Sequence, residues 1–370
     1  MEQCLKKILA FLAIIIFFSC CKSNRQEKEP EADMLPDETT VTVFGRQIEN
    51  SVLDGNPAFY NNAFDKSRIK ETISDNSIVY SSFDTDFGKT FFEHNFMLGD
   101  FAVEAVNNGG DIRFVRYYEE NGEHHIVIRL YEDFGLKIND YIVDTVNNEL
   151  KIREGFLYDL STSLTNNVRY NMLFDVMNQT DPSGNTAMLI NAKTMLENEQ
   201  YRQARQYLED NYAFLHEYPY YNLYHIGSVY HSDPKYFPEF LDQMEQNGFD
   251  RRSVLFHKLL FYTEQGMPEE TEETVNELIS FTGDDPIYLF FYGRANYIRD
   301  NYEIALYCYE NAATGMPVIW DLWYGKLQCY TQMGDREGLS QTLEEGKILY
   351  GLSEKEINEI AASLSDNSTR

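Results

Sequence analysis

The strongest constraint in this sequence is a period. At steps of 34 residues, Thr271, Ala305 and Leu339 fall into register, as do Tyr262, Asn296 and Tyr330; Gly266, Asp300 and Gly334; Val275, Tyr309 and Leu343; and Leu278, Ala312 and Gly346. A unit of this length holds two helices and a turn. Each such hairpin leaves an apolar face bare until the next one stacks on it, so these units occur in runs of about three or more. An earlier copy lies around NAKTMLENEQYRQARQYLEDN. Residues 219–285 keep only part of the pattern, in Gly227 with Tyr230 and Tyr262 with Gly266. The expectation is about five all-α repeats over residues 185–353, closed by a polar capping helix and tail over 354–370.

Residues 286–319 resemble a tetratricopeptide repeat. Gly293 and Ala305 match the small residues that let paired helices approach, Tyr302 and Tyr309 the aromatics between them, and Ala312 and Pro317 the end of the second helix. Asn296 stands where that family prefers an aromatic. Tyr302, Tyr309 and Tyr330 are expected to pack between helices. The resemblance implies that the first helix of each repeat lines a concave face that contacts ligand. Mapping that face gives Phe290, Arg294, Tyr297, Ile298, Tyr324, Gln328 and Thr331, with Tyr221, Tyr224 and His231 in the degenerate repeat. Tyrosines and amides suit a protein or peptide segment, because rigid rings supply area and amides satisfy backbone groups.

Residues 41–168 follow another plan. Short helical segments flank a break at Gly55, Asn56 and Pro57. DIRFVRYY and HHIVIRLY then alternate around Asn121 and Gly122, a pair that tolerates the positive φ of a tight hairpin. Tyr141–Val146 and Leu150–Tyr158 repeat the plan around Asn147 and Asn148. Helices followed by a long antiparallel sheet make an α+β domain. Its pattern, over roughly residues 45–160, resembles nuclear transport factor-like and cystatin-like folds. That resemblance implies a cone that, in some members, holds small molecules or transfers protons. His94, His124, His125, Asp133 and Asp140 are then the acid or base candidates. His124 and His125 are adjacent on a strand and point to opposite faces, so they cannot serve one site.

The N-terminus is an address. Lys6 and Lys7 precede an apolar run from Ile8 to Phe18, too short for a bilayer span of roughly 20 residues and suited to a secretory signal. Phe17, Phe18, Ser19 and Cys20 resemble the lipobox of bacterial lipoproteins, with phenylalanines in place of the usual leucine and small residue. The resemblance implies that residues 1–19 are removed and that Cys20 carries lipid, in the cell envelope, with the outer membrane ahead of the inner. An ordinary secretory signal or a short anchor with incidental cysteines is the alternative. The polar, proline-containing stretch 20–40 reads as a flexible tether.

Composition narrows the function classes. With 31 basic and 60 acidic side chains the formal charge is −29, which repels nucleic acid and anionic lipid, so lipid and not charge would hold the protein to a membrane. Beyond the signal region and its lipobox only Cys308 and Cys329 remain, as one disulfide or as two buried thiols. The sequence lacks GxxxxGK[ST], HExxH, GxSxG and the spaced acidic calcium loop. The expectation is a non-enzymatic scaffold with no cofactor and no metal. The competing expectation is a small-molecule-binding or enzymatic α+β domain that the repeats localise.

Overall fold

An interior strand of the sheet decides the architecture. In EHHIVIRLYE (Glu123–Glu132), Ile126 and Ile128 fall on one face, while Val127, Arg129 and Tyr131 fall on the other, and all five are buried. A sheet built on such a strand has to be covered on both sides. The structure, a computed structural model, describes residues 36–132, 135–180, 184–316 and 318–367. It shows an α+β region followed by an all-α array of helical hairpins.

Among the described residues six helices come first: α1 (Glu38–Leu53), α2 (Ala58–Asn61), α3 (Lys66–Ile73), α4 (Ser77–Ser82), α5 (Asp86–His94) and α6 (Leu98–Asn107). The Asp37 carboxylate caps α1 by accepting from the Thr40 amide at 2.7 Å, so helix begins inside the stretch expected to be tether. The sheet is an antiparallel meander of β1 (Asp111–Glu120), β2 (Glu123–Glu132), β3 (Gly135–Val146), β4 (Glu149–Leu157) and the short β5 (Thr162–Ser163). Its hairpin turns are those expected, with Asn121 and Gly122 at φ 53° and 79°, and Asn147 and Asn148 at 51° and 65°. A helix not anticipated from sequence, α7 (Leu164–Thr180), joins α1–α6 over one sheet face. Val41, Ile48, Ile69, Val168 and Met172 pack there against Ile112, Ile126, Ile128 and Ile152.

Five hairpins follow: α8 (Asn185–Glu197) with α9 (Tyr201–Asp210) and the single turn α10 (Tyr212–Leu215); α11 (Pro219–Ser232) with α12 (Phe237–Gln246); α13 (Arg251–Glu264) with α14 (Pro268–Thr282); α15 (Ile287–Ile298) with α16 (Tyr302–Gly315); and α17 (Trp320–Met333) with α18 (Arg336–Tyr350). Their first helices start 34, 32, 36 and 33 residues apart, and α19 (Glu354–Asn367) closes the array. The period has a local cause. Gly266, Asp300 and Gly334 each turn the chain between paired helices in the left-handed region, at φ 61°, 62° and 72°. The small residues have one too, since a Cβ added at Gly293 or Gly325 would lie 2.9 or 2.7 Å from the buried Tyr309 ring. That ring is wedged between successive first helices. Cys308 and Cys329 lie buried in the same region as free thiols, and burial pushes the Cys308 thiol up to about 11 and the Cys329 thiol up to about 12.

The second sheet face is covered by the repeats. Val127, Tyr131, Leu136, Ile138 and Tyr158 share a core with Leu255, Phe256, Ile287, Phe290, Ile319 and Leu322. Polar contacts fasten this seam: the Arg116 guanidinium donates to the Ser280 carbonyl at 3.2 Å, and the Tyr131 hydroxyl to Asp321 at 2.5 Å. Arg129, 1% exposed, reaches Asp111 on β1 at 2.6 Å and Asp285 ahead of α15 at 3.4 Å. From Pro36 onward the chain is one compact unit.

Gly325→Ala should destabilise the protein by about 1–3 kcal/mol in urea unfolding, because the new methyl has only the trapped Tyr309 ring to displace. Gly227→Ala, on α11 with nothing within 4 Å of the added Cβ, should be neutral or stabilising.

Candidate binding cleft

Where the first two hairpins meet the end of the sheet, they leave a cleft of about 940 Å³. One wall comes from Phe156 on β4, Ser161–Ser163 and Asn166. The other comes from Glu209 on α9, Tyr212 on α10, Tyr221, Asn222 and His225 on α11, Phe240 on α12, and the turn from Asn247 to Asp250. Ser161 turns the chain into β5 at φ 49° and accepts from the Asp250 amide at 3.3 Å, which ties the two walls together. Asp250 in turn caps α13 and holds Arg252, whose guanidinium lies 3.8 Å from the Phe156 ring centre.

Aromatic rings form much of the second wall. Tyr212 is 55% exposed and meets the buried Tyr221 edge-on at 5.7 Å, while Phe240 meets His225 edge-on at 4.9 Å. Glu209 Oε1 accepts from Arg205 at 2.8 Å and lies 3.5 Å from His225 Nε2. Burial opposes ionisation of Glu209, but the hydrogen bond and charge of Arg205, with His225, outweigh it and hold the carboxyl below its ordinary range. Burial lowers His225 despite the neighbouring carboxylate, so the imidazole is neutral at pH 7. Asn222, Asn247 and Thr162 line this space, and among the described residues none of their side chains makes an intramolecular hydrogen bond. Polar groups with unspent capacity beside exposed rings are what a binding site requires.

The residues singled out from sequence lie elsewhere. Phe290 is corrected: it is 3% exposed, packed 5.5 Å from Tyr131 and 5.3 Å from Phe291, because the sheet needs cover on its second face. Arg294 is exposed and Ile298 is 44% exposed, while Tyr297 is half-buried against Tyr302 at 5.5 Å. Tyr324, Gln328 and Thr331 are half-buried. Tyr324 packs on the core shared by Trp323, Leu327 and Leu364, and the Thr331 hydroxyl donates to the Leu327 carbonyl at 2.8 Å. None of these seven lines the cleft. Of the three from the degenerate repeat, Tyr221 does; Tyr224 stacks on Tyr220 and His231 on Tyr201.

His124 and His125 do point to opposite faces. His124 pairs with the Tyr117 hydroxyl at 2.9 Å, and His125 Nδ1 with Asp140 at 3.0 Å. The structure thus unites His125 and Asp140, and adds Tyr118, which bonds to Asp140 and stacks 4.5 Å from His125, and Arg252 at 3.3 Å from Asp140. Asp140 is 2% exposed with both oxygens engaged, so the cluster fastens the sheet to α13. His257, on that same helix, is neutral: burial lowers it to about 4, while its Nε2 bonds the Asp159 carbonyl at 3.2 Å. His94 stands apart against Phe101. Cys20, Asp133 and Pro317 fall outside the described residues. Among the described residues no three His, Cys, Asp or Glu side chains gather as a metal site, and no helix is long and apolar enough to cross a membrane.

Compared with protein-family models, curated proteins and solved structures, the chain matches none of them. The functional reading therefore rests on the cleft itself.

Proposed function

We propose that this is a non-enzymatic, lipid-anchored protein of the bacterial cell envelope that holds a partner protein or peptide segment, with tetratricopeptide-like repeats as the scaffold and the cleft as the seat. The observation that carries this reading is the gathering of exposed Tyr212 with the unspent carboxamides of Asn222 and Asn247 around one open space. A carboxamide can donate to and accept from a peptide backbone, and a ring supplies contact area at small entropic cost. Cys20 would carry the lipid, and several acyl chains, at about 0.8 kcal/mol per buried CH2, give the stable anchoring that a single chain does not.

The second reading, an enzymatic or small-molecule site in the α+β region, has one observation in its favour, the His125–Asp140 contact at 3.0 Å. Its weakness is that both residues are buried and already partnered by Tyr118 and Arg252. An acid–base pair needs a substrate within hydrogen-bond reach.

Crosslinking and recovery from membranes should yield a partner with the intact protein and several-fold less with Tyr212→Ala combined with Asn222→Ala, while Arg294→Ala recovers it fully. Equal recovery by the cleft variant would sink the assignment. Growth with labelled palmitate should label the protein and leave Cys20→Ala unlabelled; label that survives the substitution would contradict lipid attachment at Cys20.

A further inference from the structure

We infer that the segment taken by this cleft is basic, and that a lysine or arginine side chain of it is seated on the free oxygen of Glu209 beside the tyrosine wall. The inference rests on the cleft being a peptide site, and adds the chemistry that the site selects.

The carboxylates of the cleft line it, while the arginines that pair with them, Arg205 and Arg252, are not among its lining residues. Its ionisable lining residues, tyrosines aside, are Glu209, Asp250 and His225, with no lysine or arginine among them. Asp250 is spent: Oδ1 accepts from the Arg252 amide at 2.8 Å and from its Nε at 3.0 Å, and Oδ2 accepts from its terminal nitrogen at 3.0 Å. His225, neutralised by burial, adds no positive charge. Glu209 is ionised, and its hydrogen bonding is confined to one oxygen: Arg205 donates to Oε1, which also lies 3.5 Å from His225, and Oε2 accepts no hydrogen bond among the described residues. Arg205 holds one oxygen of this carboxylate, and a ligand cation would take up the other.

Two further features point the same way. Tyr212 leaves more than half its surface open at the same cleft, and a tyrosine face attracts an ammonium or guanidinium within about 6 Å. The chain as a whole carries −29, a field that draws cations toward it and speeds their association at low salt. Asn222 and Asn247 would take the backbone on either side of the basic residue, which limits the ligand to an extended, accessible segment.

The test uses the full protein and capped, fluorescein-labelled Ala-Ala-Lys-Ala-Ala, followed by fluorescence anisotropy. The same peptide with its lysine acetylated isolates the charge without altering the protein, and Glu209→Gln, checked for wild-type circular dichroism, removes its counterpart. The basic peptide should bind about fivefold or more tighter than the acetylated one, as expected for a partly exposed ion pair reinforced by a ring, and Glu209→Gln should abolish the difference. Equal affinity for the two peptides, or a preference that persists in Glu209→Gln, would overturn the basic-ligand inference and leave the peptide site standing. Failure of both peptides to bind at millimolar concentration would overturn the inference together with the peptide reading.

Discussion

Arg129 places a guanidinium in the middle of the sheet, 1% exposed, on the face that looks toward the repeats. Taking a charge out of water costs several kcal/mol unless it is paired with good geometry. Burial alone would weaken its hold on the proton, but Asp285 and Asp111 outweigh that and raise it above its ordinary value. One of those carboxylates sits on the neighbouring strand and the other in the loop before α15. The sheet can therefore keep Arg129 only when the repeats are docked. Around this pair, Tyr131, Leu136 and Ile138 gain the cover that a two-faced apolar sheet demands.

The same docking decides where a ligand has room. The sheet fastens to the N-terminal ends of α13 and α17 through Arg252 and Asp321 and to the loop before α15 through Asp285, and buries Phe290 in doing so. The first two hairpins lie at the end of the sheet, where Phe156, Ser161–Ser163 and Asn166 at the start of α7 line the opening, and there the surfaces stand apart. The open cleft thus lies beside the first two hairpins and away from the best-preserved repeats. Residues in the preserved repeats are committed to packing, as Tyr309 is between Gly293 and Gly325.

Much of this fold was legible in the sequence because its causes are local. The 34-residue step reflects left-handed turns at Gly266, Asp300 and Gly334, and the strand hairpins reflect positive φ at Asn121–Gly122 and Asn147–Asn148. The site was not legible, because it is made between elements far apart in the chain. Ser161 meets Asp250, Glu209 meets His225, and no spacing rule connects either pair. The sheet's double cover was written in IVIRLY, where both phases of the alternation are apolar apart from one arginine, but the partner for that second face had no marker. Phe290 was misassigned for this reason. The only hint of the cleft was the loss of register between residues 219 and 285, where side chains no longer answer to the repeat.

The central claim is that sheet and repeats are held as one cooperative body through Arg129, and hydrogen exchange tests it most directly. Asp285→Asn removes the charge while keeping an oxygen to accept from the Ile287 amide, which the carboxylate now does at 2.8 Å. Losing one partner of a buried pair costs about 3–5 kcal/mol. Amides of β2 and of α15 should lose protection together and by a similar factor, within a single urea transition. If α15 alone exchanged faster while β2 kept its wild-type protection, sheet and repeats would be independent bodies and the account would be wrong.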